Sequence, residues 1–230
     1  MPSPLAPPDP PPPSGRTTVR RLPERGAYDR AAAHAILDEG IVCHVGIAAD
    51  EGPVVIPMVY VRDGDRLLIH GSTASRLMRA GRSGVEVCVT VTLLDGLVLA
   101  RSAFHHAVNY RSVVVMGTAT SVEDLDERAA ALDAVVEGLV PGRTADARRA
   151  SARELRGTLV LALPLDEFSV KVRAGGPADE EDDLSLPVWA GVVPLTTIPG
   201  APIPDPLHPP TTPTPPYATT YTRPDSNAAG

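Results

Sequence analysis

The chain has 230 residues with a formal net charge of −7. An acidic chain disfavours non-specific binding to nucleic acid and to anionic membranes. The sequence contains no apolar run near the ~20 residues of a membrane span and no signal-peptide pattern. Together these features predict a soluble, cytoplasmic protein.

The prolines divide the chain into three parts. Of the 26 prolines, eight lie within residues 2–13 and ten within residues 199–224. Proline-rich segments of this kind bury too little apolar surface to offset the entropy of ordering. The sequence therefore predicts Pro-rich disordered tails over residues 1–15 and 198–230, and a single folded domain over residues 16–197.

The domain begins with a helix and a β-hairpin. Residues 28–39 are alanine-rich and precede Gly40, which predicts a helix with a glycine C-cap. Alternating apolar residues then predict two strands, over residues 41–48 and 54–61. The second strand is apolar on both faces, so we expect a core on one side and a ligand or a second subunit on the other.

The third strand, residues 66–70, leads through His70 and Gly71 into a short helix that begins near Ser75. Glycine, hydroxyl groups and Arg76 suit an anion here, because the first N–H groups of a helix lack intrahelical partners and Ser and Arg donate to phosphate. In the alternative interpretation, the hydroxyl groups only cap the helix and Arg76 is a solvated surface charge.

The rest of the domain reads mainly as strands. Ser121 to Asp124 resemble a capping box before an amphipathic helix that extends to about residue 139. The remaining alternating segments are residues 85–93, 97–99, 110–117, 158–163 and 168–172. About six antiparallel strands with few helices predict a mainly β protein, an antiparallel barrel with peripheral helices.

Six strings of residues resemble the pyridoxamine 5′-phosphate oxidase-like family, the FMN-binding split β-barrel proteins, and especially its nitroimidazole-resistance branch. They are residues 56–60 (IPMVY), 68–71 (LIHG), 75–76 (SR), 95–106 (DGLVLARSAFHH), 109–113 (NYRSV) and 188–191 (VWAG). The strings occur in family order. The resemblance implies a split barrel and a homodimer that binds FMN in two clefts between its subunits.

The resemblance also implies which residues meet the cofactor. Pro57, Met58 and Val59 fall on the strand beside the isoalloxazine ring, and Ser75 and Arg76 fall where the family holds the phosphate. The family's oxidases carry a threonine-asparagine pair and a lysine in this region, so the match is imperfect, although Arg keeps the charge. The other candidate cofactor-binding residues are His70, Gly71, Tyr110, Arg111, Ser112, Lys171 and Trp189.

Three histidines have open roles. His70 lies at a strand end beside the implied flavin, where it either transfers a proton or only orients the loop. The adjacent His105 and His106 suggest axial ligation of haem, which some split-barrel relatives handle. Neighbouring side chains on a strand point to opposite faces, however, which favours a structural or pocket-lining role. No metal site is predicted.

The sequence thus predicts an FMN-binding oxidoreductase that takes hydride from a nicotinamide cofactor and reduces a small-molecule substrate. Pyridoxamine 5′-phosphate oxidase activity itself is disfavoured, because apolar residues 189–193 stand where that enzyme's basic substrate-binding residues are expected. The alternatives are a deazaflavin-dependent reductase, a haem-binding or haem-handling protein, and a non-catalytic flavin carrier.

Overall fold

The computed structural model describes residues 10–207, 209 and 211–223. Within them the strands are β1 (Gly26–Ala27), β2 (Val42–Ala49), β3 (Gly52–Asp63), β4 (Arg66–Ser72), β5 (Val85–Leu99), β6 (Ala107–Ser121), β7 (Thr158–Pro164), β8 (Glu167–Arg173) and β9 (Gly191–Pro194). The α-helices are α1 (Arg30–Glu39), α2 (Arg76–Ala80), α3 (Leu125–Leu139), α4 (Ala152–Gly157) and α5 (Pro216–Thr219). In this part of the chain no helix is both long enough and apolar enough to cross a membrane.

Six strands close into a ring. Around the ring the order is β6, β7, β4, β3, β2, β5 and back to β6, and each neighbouring pair is antiparallel. Strands β8 and β1 extend the sheet beyond β6, and β9 pairs with the end of β5. This confirms the predicted mainly β fold, a split barrel of about six antiparallel strands.

The split in the barrel lies within β3. Residues 52–59 of this strand pair with β2, and residues 60–63 pair with β4. The last β3–β4 pair joins Tyr60 to Ile69, after which β4 continues beside β7 alone. Val59 and His70 therefore lie on the two sides of the point where β3 and β4 separate.

Alternation along the strands fills the barrel with apolar side chains, because successive residues point to opposite faces. Cys43, Val45 and Val89 belong to this core and are at most 1% exposed. From α2, Leu77 and Met78 join the same cluster. An added Cβ on Gly71 would lie 3.1 Å from the Met78 side chain, so this glycine allows the close approach of α2.

Helix α1 ends as predicted, for a reason that the sequence does not reveal. Asp29 caps its first turn by accepting a hydrogen bond from the Ala32 N–H (2.9 Å), and the Gly40 N–H donates to the Ile36 carbonyl. The φ of Gly40 is −69°, which any residue adopts. Glycine is needed because a Cβ there would collide with the Tyr60 hydroxyl and the Val91 side chain.

The predicted cap of α3 is wrong by three residues. Ser121 is the last residue of β6, and the N-cap is Asp124, whose carboxylate accepts from the Asp126 and Glu127 N–H groups. Strand β6 extends further than the alternation of its residues indicates, so Ser121 belongs to the strand and not to the helix. The helix packs on the outside of the barrel, where Leu68, Val160 and Ala131 form a second buried cluster.

The predicted tails lie partly outside the described residues. From residue 195 to residue 215 the described chain forms no helix or strand, and Ile198, Ile203 and Leu207 are at least 78% exposed. Near residue 216 this changes, and the last described residues contact the domain.

Candidate functional site

Outward-facing side chains of β2, β3, β5 and β6 form one continuous surface, which we call the open face. In one row across it, Pro57 lies opposite His44, His44 opposite Thr90, and Thr90 opposite Val114. The members of the open face are Val42, His44, Gly46, Val55, Pro57, Val59, Cys88, Thr90, Thr92, Leu94, Tyr110, Ser112, Val114 and Met116.

The open face exposes large apolar side chains. Val42 is 46% exposed, Val55 64% and Leu94 50%, and Pro57 is exposed beside them. Apolar groups gathered on one sheet face mark a surface that is covered by a partner or a ligand. The second strand is therefore apolar on both faces, with one face in the core and the other exposed in this chain.

Five of the predicted site residues share this region. Pro57, Val59, Tyr110 and Ser112 belong to the open face, and Lys171 lies opposite Ser112 on β8. The Lys171 ammonium group donates to the Arg21 carbonyl at 2.9 Å. Met58 points the other way and packs against the barrel core.

Arg111 is separated from its two neighbours by the alternation of β6. Its guanidinium donates to both oxygens of Asp95 at 2.9 and 2.7 Å and to both oxygens of Glu39 at 2.5 and 2.9 Å. The hydrogen bonds to Asp95 and Glu39 raise the pKa of Arg111, against the opposing effect of burial. In this structure Arg111 joins α1, β5 and β6 behind the open face.

The predicted phosphate-binding residues lie at one end of β3. Arg76 is 55% exposed, and its guanidinium lies 3.7 Å from the carboxylate of Glu51, which stands in the turn before β3. An exposed pair at this distance is weak, so the Arg76 side chain can bind an anion instead. Helix α2 has only five residues, so its dipole adds little.

Two serines beside Arg76 differ in their hydrogen bonds. The Ser72 hydroxyl accepts from the Ala74 N–H at 3.2 Å, a bond within the turn before α2 that does not cap the helix. Ser75 is the N-cap of α2, yet its hydroxyl makes no capping bond within the described chain. The Ser75 hydroxyl and the Arg76 guanidinium thus suit a phosphate group. They would bind it through their side chains, because the dipole of so short a helix adds little.

His70 is half-buried where β3 and β4 separate. It lies opposite Val160 on β7, so its side chain is on the outer side of the barrel, near the edge of the region that α3 covers. Its Nδ1 is buried and has no hydrogen-bond partner among the described residues. Burial lowers the pKa of His70, which keeps the imidazole neutral at pH 7.

The two adjacent histidines are not on a strand, so the reason given for separating them is wrong. A 3₁₀ turn covers Ala103–His105, and β6 begins only at Ala107. The His106 Nδ1 lies 3.0 Å from the Ser102 carbonyl, and the His105 Nε2 lies 3.5 Å from a Glu180 carboxylate oxygen. A carbonyl only accepts, so Nδ1 of His106 carries the hydrogen and, in the neutral ring, Nε2 keeps a free lone pair.

Two aromatic side chains, Phe104 and Trp189, are exposed. Phe104 is 89% exposed, with its ring edge-on to His105 at 5.2 Å between centroids. Trp189 is 66% exposed and lies over Gly191, which pairs with Leu99 at the end of β5. The structure thus places Trp189 at the β9 edge of the sheet.

His44 is a residue that the sequence interpretation missed. It is exposed on the open face between Pro57 and Thr90. The signal was present in the alternation, which set His44 on the side opposite to Cys43 and Val45. In the described residues, no group of three or more His, Cys, Asp or Glu side chains is arranged to hold a metal ion.

A closed antiparallel ring that splits within one strand defines a split β-barrel protein. Residues 29–172 match the family model described as pyridoxamine 5′-phosphate oxidase. The chain belongs to this family, as the sequence predicted.

Two solved structures are similar over most of their length. The flavocytochrome Anf3 from Azotobacter vinelandii is 41% identical, with 91% of this chain and 97% of that chain covered and a TM-score of 0.86. The FAD and heme binding protein from Mycobacterium smegmatis is 40% identical, with 84% and 95% covered and a TM-score of 0.81.

A third structure shows the fold alone. It is a Bacteroides thetaiotaomicron protein named for 5-nitroimidazole antibiotic resistance, 24% identical, with 64% of this chain and 86% of that chain covered and a TM-score of 0.53. No curated protein sequence matches the chain.

Proposed function

We propose that this chain is a homodimeric flavin-binding redox protein whose flavin lies against the open face. One observation carries the proposal: the apolar outward residues of β3 run from Val59 to Val55, and the Arg76 guanidinium lies beside the turn at Glu51 where that strand begins. A flavin has an apolar ring at one end and phosphate at the other, and this arrangement matches it.

The same surface supports the proposed homodimer. Val42, Val55 and Leu94 are about half exposed or more in one chain, on neighbouring strands. A second copy related by a two-fold axis would cover this face with the same face of its own. The ring of the flavin would then lie between two apolar surfaces that exclude water.

The similar proteins support a flavin and leave its type to experiment. One of them is named as a flavocytochrome and the other as binding FAD. FMN, FAD and a deazaflavin all carry a phosphate, so Ser75 and Arg76 would serve each of them. FMN is our first choice because Ser75 and Arg76 offer donors that suit one phosphate group.

The reaction we propose is the reduction of a small acceptor with electrons from a nicotinamide cofactor. A bound flavin supplies the hydride and single-electron chemistry. The chain binds the phosphate at Arg76, orients the ring on Pro57 and Val59, and keeps a neutral imidazole at His70. Because its pKa is lowered, His70 would act as a hydrogen-bond donor or as a proton acceptor at neutral pH.

A second function, haem binding, is favoured by His106. Ligating histidines donate their other ring N–H to a carbonyl or carboxylate, which fixes the ring and its tautomer. The Ser102 carbonyl does this for His106 and leaves Nε2 free for iron, while the exposed Phe104 offers apolar surface beside it. Both proteins of about 40% identity are named for haem or a cytochrome.

The test is the visible absorption spectrum of the full chain as purified, and again after incubation with FMN, FAD, a deazaflavin or haem and desalting. We expect a retained flavin band of about one flavin per chain. Loss of every flavin on desalting would contradict the flavin proposal. A haem band that His106→Ala abolishes and His105→Ala retains would support the second function, and equal bands in both variants would contradict the assignment of His106.

A further inference from the structure

The C-terminal segment of residues 215–223, which we call the strap, returns to the domain. Its side chains hold the ends of two helices that are far apart in the sequence. The Tyr221 hydroxyl donates to the Leu139 carbonyl at 2.9 Å. The Tyr217 hydroxyl donates to Asp146 at 2.7 Å and accepts from Arg143 at 2.6 Å.

Arg223 makes the densest of these contacts. Its guanidinium donates to the carbonyls of Asp38 (2.5 Å), Glu39 (3.2 Å), Gly40 (2.7 Å) and Gly138 (2.6 Å). The last carbonyls of a helix lack intrahelical partners and carry partial negative charge. One planar fork of donors thus caps the ends of both α1 and α3, which a lysine could not do.

The strap covers a groove without filling it. A cavity of about 190 Å³ remains between the helix ends. Tyr60 and Arg62 line its floor, and Thr222 and Arg223 line its outer side. Among the described residues, the two buried apolar clusters contain no residue of the strap, so its described contacts with the domain are mainly polar.

The capped end of α1 is connected to the open face. Arg223 holds the backbone of Glu39, and the Glu39 side chain holds Arg111. Arg111 stands between Tyr110 and Ser112, whose side chains belong to the open face. A change at the helix end would therefore reach the strand that carries them.

We propose that the strap fixes the C-terminal ends of α1 and α3 and, through Glu39 and Arg111, sets the geometry of the open face on β6. The second half of this proposal rests on the proposed function, because it concerns the affinity for the flavin. The strap is thus a conformational device by which the C-terminal segment controls the site.

Hydrogen exchange of the full-length protein tests the first half. The Gly40 N–H bonds to Ile36 and the Val140 N–H to Val136, so these amides report on the two helix ends. We expect Arg223→Ala and Arg223→Lys to speed exchange at both ends about tenfold, since charge-assisted hydrogen bonds are lost. The control is Arg153→Ala, an exposed arginine on α4, which should change neither.

A second variant separates the two helix ends. Tyr221→Phe removes only the hydroxyl that bonds to Leu139, so it should speed exchange at the end of α3 and leave α1 unchanged. If exchange at both helix ends is the same in Arg223→Ala, in Tyr221→Phe and in the unmodified protein, the strap does not fix the helix ends and the proposal is overturned.

Flavin titration tests the second half. We expect Arg223→Ala to raise the dissociation constant about fivefold, a coupling of ordinary size, and Arg153→Ala to leave it unchanged. Faster exchange with unchanged flavin affinity would overturn the coupling. If the unmodified protein binds no flavin, the proposed function fails, and hydrogen exchange still decides whether the strap holds the helices.

Discussion

The two outer sides of the barrel carry similar apolar residues and differ in what covers them. On one side, Leu68 and Val160 are fully buried because α3 packs over them. On the other, Val55 and Val42 are about half exposed or more. Strand β3 contributes to both, with Val61 under the helix and Val55 on the open face. The chain completes one side by itself and leaves the other exposed, where we propose that a second copy and a flavin bind.

This contrast separates two kinds of apolar residue. Those under α3 stabilise the monomer, because their burial is part of folding. Those on the open face add little to the stability of one chain and contribute only when something binds. Substitutions on the two sides should therefore change different measurements.

The largest expected effect is on the covered side. Leu68→Ala removes a side chain that is 0% exposed, and we expect it to lower the free energy of unfolding by about 2–5 kcal/mol. Urea unfolding of the flavin-free protein measures this. An equal loss from Val55→Ala, which is 64% exposed, would contradict the distinction between the two sides.

The next effect is on assembly. Val55→Asp would place an unpaired carboxylate in the proposed subunit interface, and we expect the dimer dissociation constant to rise about 100-fold, or about 2.8 kcal/mol. Sedimentation velocity over a range of concentrations measures it. The matched control is Leu125→Asp, because Leu125 is 50% exposed at the start of α3. If Val55→Asp and Leu125→Asp weaken the dimer equally, the placement of the subunit interface on the open face is contradicted.

The third effect is on the affinity for the flavin. Arg76→Ala should weaken flavin binding by about 1.5–3 kcal/mol, the range for a hydrogen bond to a charged group. Arg79→Ala is the control, since Arg79 is exposed on the same helix. Fluorescence titration compares the two variants. An unchanged affinity in Arg76→Ala would refute the phosphate assignment, whereas Arg76→Lys should retain part of the binding.

The barrel could be predicted from the sequence because alternation along a strand fixes which residues are core. Residues 85–93 alternate so regularly that the inward set, Val87, Val89 and Val91, needs no other information. Alternation also places Arg111 on the opposite face of β6 from Tyr110 and Ser112. The sequence motif alone groups these three residues together because they are consecutive. The family motif points to a strand and leaves the face of each of its residues undecided.

Other features depend on contacts between residues far apart in the sequence. The partners of Arg111 are Glu39 and Asp95, and no local pattern pairs them. The contacts of Arg223 could not be predicted either. Its hydrogen-bond acceptors are backbone carbonyls of α1 and α3, and a backbone carbonyl leaves no signal in the sequence. The argument that separates His105 from His106 assumes strand geometry, and the 3₁₀ turn that the structure has there carries no distinct composition.

The smallest expected effect is on the pH dependence of stability. It concerns His70, which lies where β3 and β4 separate, between the two outer sides of the barrel. Burial lowers the pKa of His70 in the folded chain below its ordinary value of 6.5. The unfolded chain then binds the proton more readily, so stability is complete above pH 6.5 and falls as the pH drops through the folded pKa. His70→Gln should remove this decline, which urea unfolding at pH 7.5 and pH 5 measures. A decline of equal size in His70→Gln would assign it to other groups, and His106→Gln, an exposed histidine, serves as the control.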